Sequence, residues 1–206
     1  MKKLTSLLIV LFMTAAMVQH ANAQNPISFG LKGGLNIANL HGSDIERDTR
    51  TGVLLGAVLE INVPVLPFGV ESGVYYSQKG AEFSDGNIES SLKLDYIEVP
   101  VMAKFQLGPP GPITPSLAIG PYLGFNINAE EEHVSGGVYT GTNDISDRIS
   151  GTEFGGVAAV GFDFNLGITK LNATARYSYG FTSVWDDSDV DSDRNAVFSI
   201  AVGIMF

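Results

Sequence analysis

Phe198-Ser-Ile-Ala-Val-Gly-Ile-Met-Phe206 alternates with period two through to its last residue. Phe198, Ile200, Val202, Ile204 and Phe206 fall on one face, and Ser199, Ala201, Gly203 and Met205 on the other. A strand with large apolar groups on one side and small ones on the other can face lipid outward and a crowded lumen inward. A soluble antiparallel strand can carry the same pattern. Seven earlier segments that repeat it, behind an export signal, decide for the membrane strand.

Those segments cover residues 27–40, 52–63, 68–79, 92–107, 113–128, 154–166 and 168–181, with 195–206 as the eighth. Ile113, Leu117, Ile119, Leu123, Phe125 and Ile127 share the outer face of the fifth, opposite Thr114, Ser116, Ala118, Gly120, Tyr122, Gly124 and Asn126. Lengths of this kind suit tilted membrane strands, which need about 9–11 residues to cross. The fourth segment breaks the rule. Leu92, Leu94 and Tyr96 have one parity, while Ile97, Val99, Val101 and Phe105 have the other. A one-residue bulge near Tyr96 and Ile97 would return Lys93, Asp95, Glu98 and Lys104 to one inner face. Pro100 and Pro121 remove ladder donors, and counting back from the 108–112 turn sets them almost opposite each other as one shared defect.

Connections alternate in length. Those at 64–67, 108–112 and 165–167 are tight, and those at 41–51, 80–90, 129–150 and 182–194 are long and polar. Short turns at one end and long loops at the other are the asymmetry of outer-membrane barrels, which a β-sandwich has no reason to show. The expected fold class is all-β, an eight-stranded antiparallel up-and-down transmembrane β-barrel with both termini at the short-turn end.

The start of the chain fits export. Lys2 and Lys3 precede an apolar run, and Ala21-Asn22-Ala23 supplies a small-x-small cleavage site. Residues 1–23 therefore read as a signal peptide and 24–206 as one barrel domain. The apolar run is shorter than the ~20 residues a spanning helix needs. The sequence has no cysteine, which excludes lipid-anchor processing, disulfides and thiolate metal sites. With 22 acidic against 12 basic side chains, phosphate backbones are repelled and nucleic acid is not an expected partner.

Most of the acids fall in the long connections. The lumen is expected to hold Glu60, Glu71, Asp95, Glu98 and Asp163 against Lys32, Lys79, Lys93, Lys104, Lys170 and Arg176. Charges in a narrow interior need partners, because an unpaired one costs several kcal/mol. The near balance reads as a structural ion network that plugs the barrel. Water-filled porins use about 16–18 strands, so an open pore is disfavoured at eight.

Chemistry is weighed residue by residue. Glu60 and Glu71 flank the 64–67 turn and could split their pKa values as an acid and base pair. The plainer reading is a carboxylate cluster neutralised by Lys32 or Lys104. Asp163 and Lys170 face each other across the 165–167 turn as an ion pair. His41 and His133 fall in outside loops, and no Gly-x-Ser-x-Gly nucleophile motif is present, so no catalytic residues and no enzyme are expected. Asp189, Asp191 and Asp193 have the spacing that opens a calcium loop. Arg194 stands where that loop needs Gly, and Ile200 where it needs Glu, so an EF-hand is rejected. A weakly bound divalent cation beside anionic lipopolysaccharide is retained as the only cofactor expectation. Phe206, closing a lipid-facing row, is read as an assembly signal for the barrel-assembly machinery.

Several stretches carry a resemblance. Gly30-Leu-Lys-Gly-Gly-Leu-Asn36, Tyr76-Ser-Gln-Lys-Gly-Ala-Glu-Phe83, Leu94-Asp-Tyr-Ile-Glu-Val-Pro-Val101, Gly120-Pro-Tyr-Leu-Gly124 and Ala175-Arg-Tyr-Ser-Tyr-Gly180 resemble the PorT-like outer-membrane β-barrel family. The resemblance implies a small barrel in the outer membrane of a Gram-negative bacterium. It links the chain to a group whose named member takes part in protein export. The expected function is a structural or interaction role, with acidic loops displayed outside and contacts to outer-membrane lipid, lipopolysaccharide and an envelope protein complex. The alternatives are transport, as a narrow solute channel or part of an export machine, and less favourably an outer-membrane enzyme.

Overall fold

The computed structural model describes residues 26–42, 48–63, 66–85, 88–108, 111–135, 138–186 and 193–206. The signal-peptide reading of 1–23 lies outside them. Among the described residues the chain forms nine strands. They are β1 Ile27–His41, β2 Asp48–Asn62, β3 Phe68–Asp85, β4 Ile88–Gln106, β5 Ile113–Ser135, β6 Val138–Asp144, β7 Thr152–Asn165, β8 Lys170–Gly180 and β9 Arg194–Met205. A 3-10 turn, Ser146–Arg148, follows β6.

Eight of them close the barrel. Each pairs antiparallel with the next, β5 with β7 in place of β6, and β1 pairs with β9 to complete the circle. Closure pairs backbone groups that lipid cannot satisfy. Phe198, Ile200, Val202, Ile204 and Phe206 are all exposed, while Ser199, Ala201 and Met205 point inward and are buried. Phenylalanines gather at both ends of the apolar belt: Phe29 with Phe206 and Phe68 with Phe105 at the turn end, Phe154 with Phe181 at the loop end. Aromatic girdles of this kind mark the two membrane interfaces.

Inner faces are not uniformly small. Gly56 lies where a Cβ would stand 2.3 Å from the Tyr75 ring, and a Cβ at Gly155 would stand 2.5 Å from Tyr122. Those glycines make room for whole phenol rings in the lumen.

Two strand expectations are corrected. Residues 80–90 are not a loop, because β3 and β4 stay paired as far as Asp85 and Ile88. Residues 129–150 hold the end of β5, all of β6 and the 3-10 turn. Polar composition cannot tell a solvated hairpin from a loop, since both faces of such a hairpin meet water.

The parity break of the fourth segment is the second correction. β4 keeps Leu92, Leu94, Tyr96, Glu98, Met102 and Lys104 on one buried face without interruption. The bulge sits at the expected height but on β5: pairing jumps from Asp95↔Asn128 to Tyr96↔Asn126, leaving Ile127 as the extra residue. Lys93 and Asp95 therefore face outward, contrary to expectation, and Lys93 pairs with Glu132. The expectation assumed a polar lumen at every height. In fact its loop end is apolar, with Leu40, Ala81, Leu92, Leu94, Tyr96, Ala129, Ile145, Ile149 and Val184 packed together.

The prolines do share one defect. Ladder pairing lapses between Pro100↔Tyr122 and Ala103↔Ile119 on the β4–β5 side and between Ser72↔Val101 and Tyr75↔Glu98 on the β3–β4 side, with the register unchanged across both gaps. Ser72 Oγ donates to the Pro100 carbonyl at 2.7 Å.

Candidate functional site in the barrel interior

Lysines and carboxylates reach the lumen from strands whose inner parity they share. Near the short turns, β1 supplies Lys32, β2 Glu60, β3 Glu71, β4 Lys104, β7 Asp163 and β8 Lys170. Glu60 and Glu71 are cross-strand partners. Lys104 Nζ lies 2.8 Å from Glu60, 2.9 Å from Asp163 and 3.6 Å from Glu71. Lys32 Nζ reaches Glu71 Oε1 at 2.6 Å, and Lys170 donates to both Glu60 oxygens at 2.8 and 2.9 Å. Asp163 accepts from Asn172 Nδ2 at 2.5 Å and lies 3.6 Å from Lys170. Three cations and three carboxylates thus form one neutral layer, and Glu60 and Glu71 each hold a lysine of their own besides the shared Lys104.

A second layer lies toward the loops. Lys79 is wholly buried, 2.7 Å from Glu98 and 2.7 Å from Glu153. Its ammonium sits 4.8 Å from the ring centroids of both Tyr96 and Tyr122. Faces of aromatic rings attract a desolvated cation, so the two tyrosines add to the carboxylates. Tyr122 donates to Glu153 at 2.8 Å. Arg176 Nη2 donates to Glu98 at 2.9 Å and to Ser178, with its guanidinium 5.2 Å from the Tyr75 ring. This layer is also neutral, with two bases and two acids.

The structure thus brings together Lys32, Glu60, Glu71, Lys104, Asp163 and Lys170 in one layer, and Glu98 with Arg176 in the other. Sequence reasoning missed Glu153, which fell between a loop assignment and a strand assumed to begin at residue 154. Its parity with Val157, Ala159, Gly161 and Asp163 was the available signal. Glu153 enters the lumen while Lys93 and Asp95 leave it, and the two layers balance at five bases and five acids.

Above them the apolar cluster packs inside the loop end. The 3-10 turn and the segment after β8 are tied by an Ile149↔Trp185 bridge and by Ser150 N–H to the Val184 carbonyl at 2.8 Å. Ile149 and Val184 point down onto the cluster. Asp189 and Asp191 lie outside the described residues. Asp193 is buried and accepts the Trp185 indole N–H at 3.0 Å. Phe206 is exposed beside Phe29, its N–H donating to the Phe29 carbonyl. At the opposite mouth, Ser28, Asn62, Gln106, Thr114, Asn165 and Lys170 line a polar vestibule of about 270 Å³ that ends on the first ionic layer.

Solved structures of small barrels are similar in outline. Ail of Yersinia pestis has 14% identity and a TM-score of 0.46, covering 87% of this chain and 98% of its own. Neisserial surface protein A has 15% identity and a TM-score of 0.49, with coverage of 86% and 97%. The N-terminal barrel of Pseudomonas aeruginosa OprF has 12% identity and a TM-score of 0.43, with coverage of 88% and 98%. No curated protein sequence matches the chain. The family model for the outer membrane protein beta-barrel domain matches residues 19–186, most of the sequence. With a closed eight-stranded barrel belted by apolar side chains, the chain belongs to the outer membrane protein beta-barrel domain family and resides in the outer membrane of a Gram-negative bacterium.

Proposed function

We propose that this protein is a sealed barrel with a structural or interaction role, presenting acidic loops to the exterior. The observation that carries this reading is the lumen, where two neutral ionic layers lie under an apolar cluster and each of their charges is held by an opposite one. Desolvated pairs of this geometry hold one another in place, because parting them strands a charge. The same pairing supports a non-catalytic role, since Glu60 and Glu71 are each bound by lysines and no carboxylate of the layers is free to exchange protons with a substrate. The ordered motifs favour kinship with PorT-like barrels inside the family. Lipopolysaccharide, the barrel-assembly machinery and an envelope complex are the partners of this reading. Its divalent cation would rest on Asp189, Asp191 and lipid phosphate, since Asp193 is engaged by Trp185.

Planar-bilayer recording of the pure protein tests the seal. We expect no stable conductance. Reproducible ion-selective channels would replace this reading with the transport one, for which the vestibule at the turn end is the favouring observation.

A further inference from the structure

β6 ends the sheet. On one side it pairs with β5, and among the described residues no strand lies on its other side. It occupies the place beside β5 that β7 holds lower down, where Phe125↔Thr152 is the last pair. A strand edge in this position presents a row of unmatched backbone donors and acceptors, which another chain can pair with.

Two features of β6 leave that edge available. Thr140, Thr142, Asn143 and Asp144 are exposed, and the strand carries neither lysine nor proline, the residues that commonly blunt an edge. A bulge shifts the register between His133↔Gly141 and Val134↔Tyr139, so residues 141–144 form the regular part of the edge.

Charge selects the occupant. Glu130 and Asp144 are direct cross-strand partners, and Glu132 lies two residues along the same face. On the facing part of β4 the base is Lys93, opposite Glu130 and already paired with Glu132. Like charges directly opposite in a sheet are unfavourable, and a cation brought alongside relieves them.

We propose that the outer edge of β6 receives an extended, cationic segment of a protein partner outside the cell, which adds to the sheet as a further strand. Basic side chains at alternate positions of that segment lie on the face of Asp144, Glu130 and Glu132. The proposal rests on the interaction reading above and deepens it.

The test uses the full protein in lipid nanodiscs and a fluorescent peptide of alternating lysine and threonine, read by anisotropy at physiological salt. We expect binding, weakened about tenfold when alternate peptide amides are N-methylated, since charge is kept and backbone pairing is lost. E130Q with D144N should weaken it by a similar factor, with the heat-modified gel shift of the folded barrel unchanged. Equal binding of the N-methylated peptide would overturn strand addition. Absence of peptide binding, or displacement of the peptide by a second copy of the protein, would overturn the proposed occupant. Conductance is a separate readout, so a leaky barrel that still binds the peptide would remove the seal and leave the docking edge standing.

Discussion

The two ends of the lumen are built from opposite chemistries on the same strands. Toward the short turns β3 and β4 offer Glu71 and Lys104 to an ionic layer; toward the loops they offer Ala81, Leu92 and Leu94 to an apolar cluster. Between them Lys79, Tyr96 and Tyr122 join the two, the tyrosines meeting the cation on one side and apolar groups on the other. The difference teaches that a membrane barrel fills its lumen by what each height can satisfy. At mid-barrel, strands on every side can supply a partner for each charge. At the loop end, long connections fold inward and bring their own apolar side chains as a cork.

The ionic side should be the more sensitive to losing one member. Lys79→Met leaves Glu98 and Glu153 buried together, and we expect a loss of about 3–5 kcal/mol in urea unfolding of the detergent-solubilised protein. Adding Glu153→Gln, which leaves Glu98 paired with Arg176 in a neutral layer, should recover most of that loss. If the single and double variants unfold at the same urea concentration, stranded charge is not what the lysine prevents.

On the apolar side the expected cost comes from a cavity. Leu94→Ala should destabilise by about 2–4 kcal/mol and raise proteolysis of the segments that form the cork, without opening the ionic layers. A bilayer conductance that appears in Leu94→Ala alone would show the cork to be the principal seal.

Glu153→Gln keeps an acceptor for Tyr122 and removes one of the two carboxylates at Lys79. We expect a loss of about 1–3 kcal/mol, smaller than for Lys79→Met, because Glu98 still pairs with the lysine while shared with Arg176, and the Tyr96 and Tyr122 rings still face the ammonium. A loss as large as that of Lys79→Met would mean that the layer acts as one indivisible unit.

The smallest effect belongs outside the barrel. Lys93 is a third exposed in its pair with Glu132. Lys93→Met should change stability by less than about 1 kcal/mol. A loss comparable with Lys79→Met would place Lys93 in the lumen after all, as the sequence pattern suggested, and would break the division between inner ions and outer polar strands.

Much of this was legible in the chain. Period-two alternation fixed which residues meet lipid in every barrel strand, from Phe29 and Leu31 to Val202 and Ile204, because a pleated strand sends neighbours to opposite faces whatever surrounds it. The same parity marked Lys32, Glu60, Glu71, Lys104, Asp163, Lys170 and Arg176 as interior. It failed where a rule about the environment was added to it. A polar lumen at every height would put Lys93 and Asp95 inside and Leu92, Leu94 and Tyr96 outside, whereas the loop end of the lumen is apolar. Glu153 was lost at a strand end, where alternation has too few residues to declare itself.

The eight barrel strands, their order and the face each turns to lipid were therefore determined by the sequence alone, since they depend on local geometry and on the lipid that every strand meets; β6 and the inward face of β4 at the loop end were not. Tertiary structure alone decided which carboxylate each lysine holds, that the bulge falls at Ile127 rather than beside Tyr96, and that Ile149 and Val184 join the apolar cluster. Those outcomes depend on the angular position and stagger of strands far apart in the chain, such as Lys79 against Glu153 or Lys170 against Glu60. Closing the sheet sets those relations, and no single strand contains them.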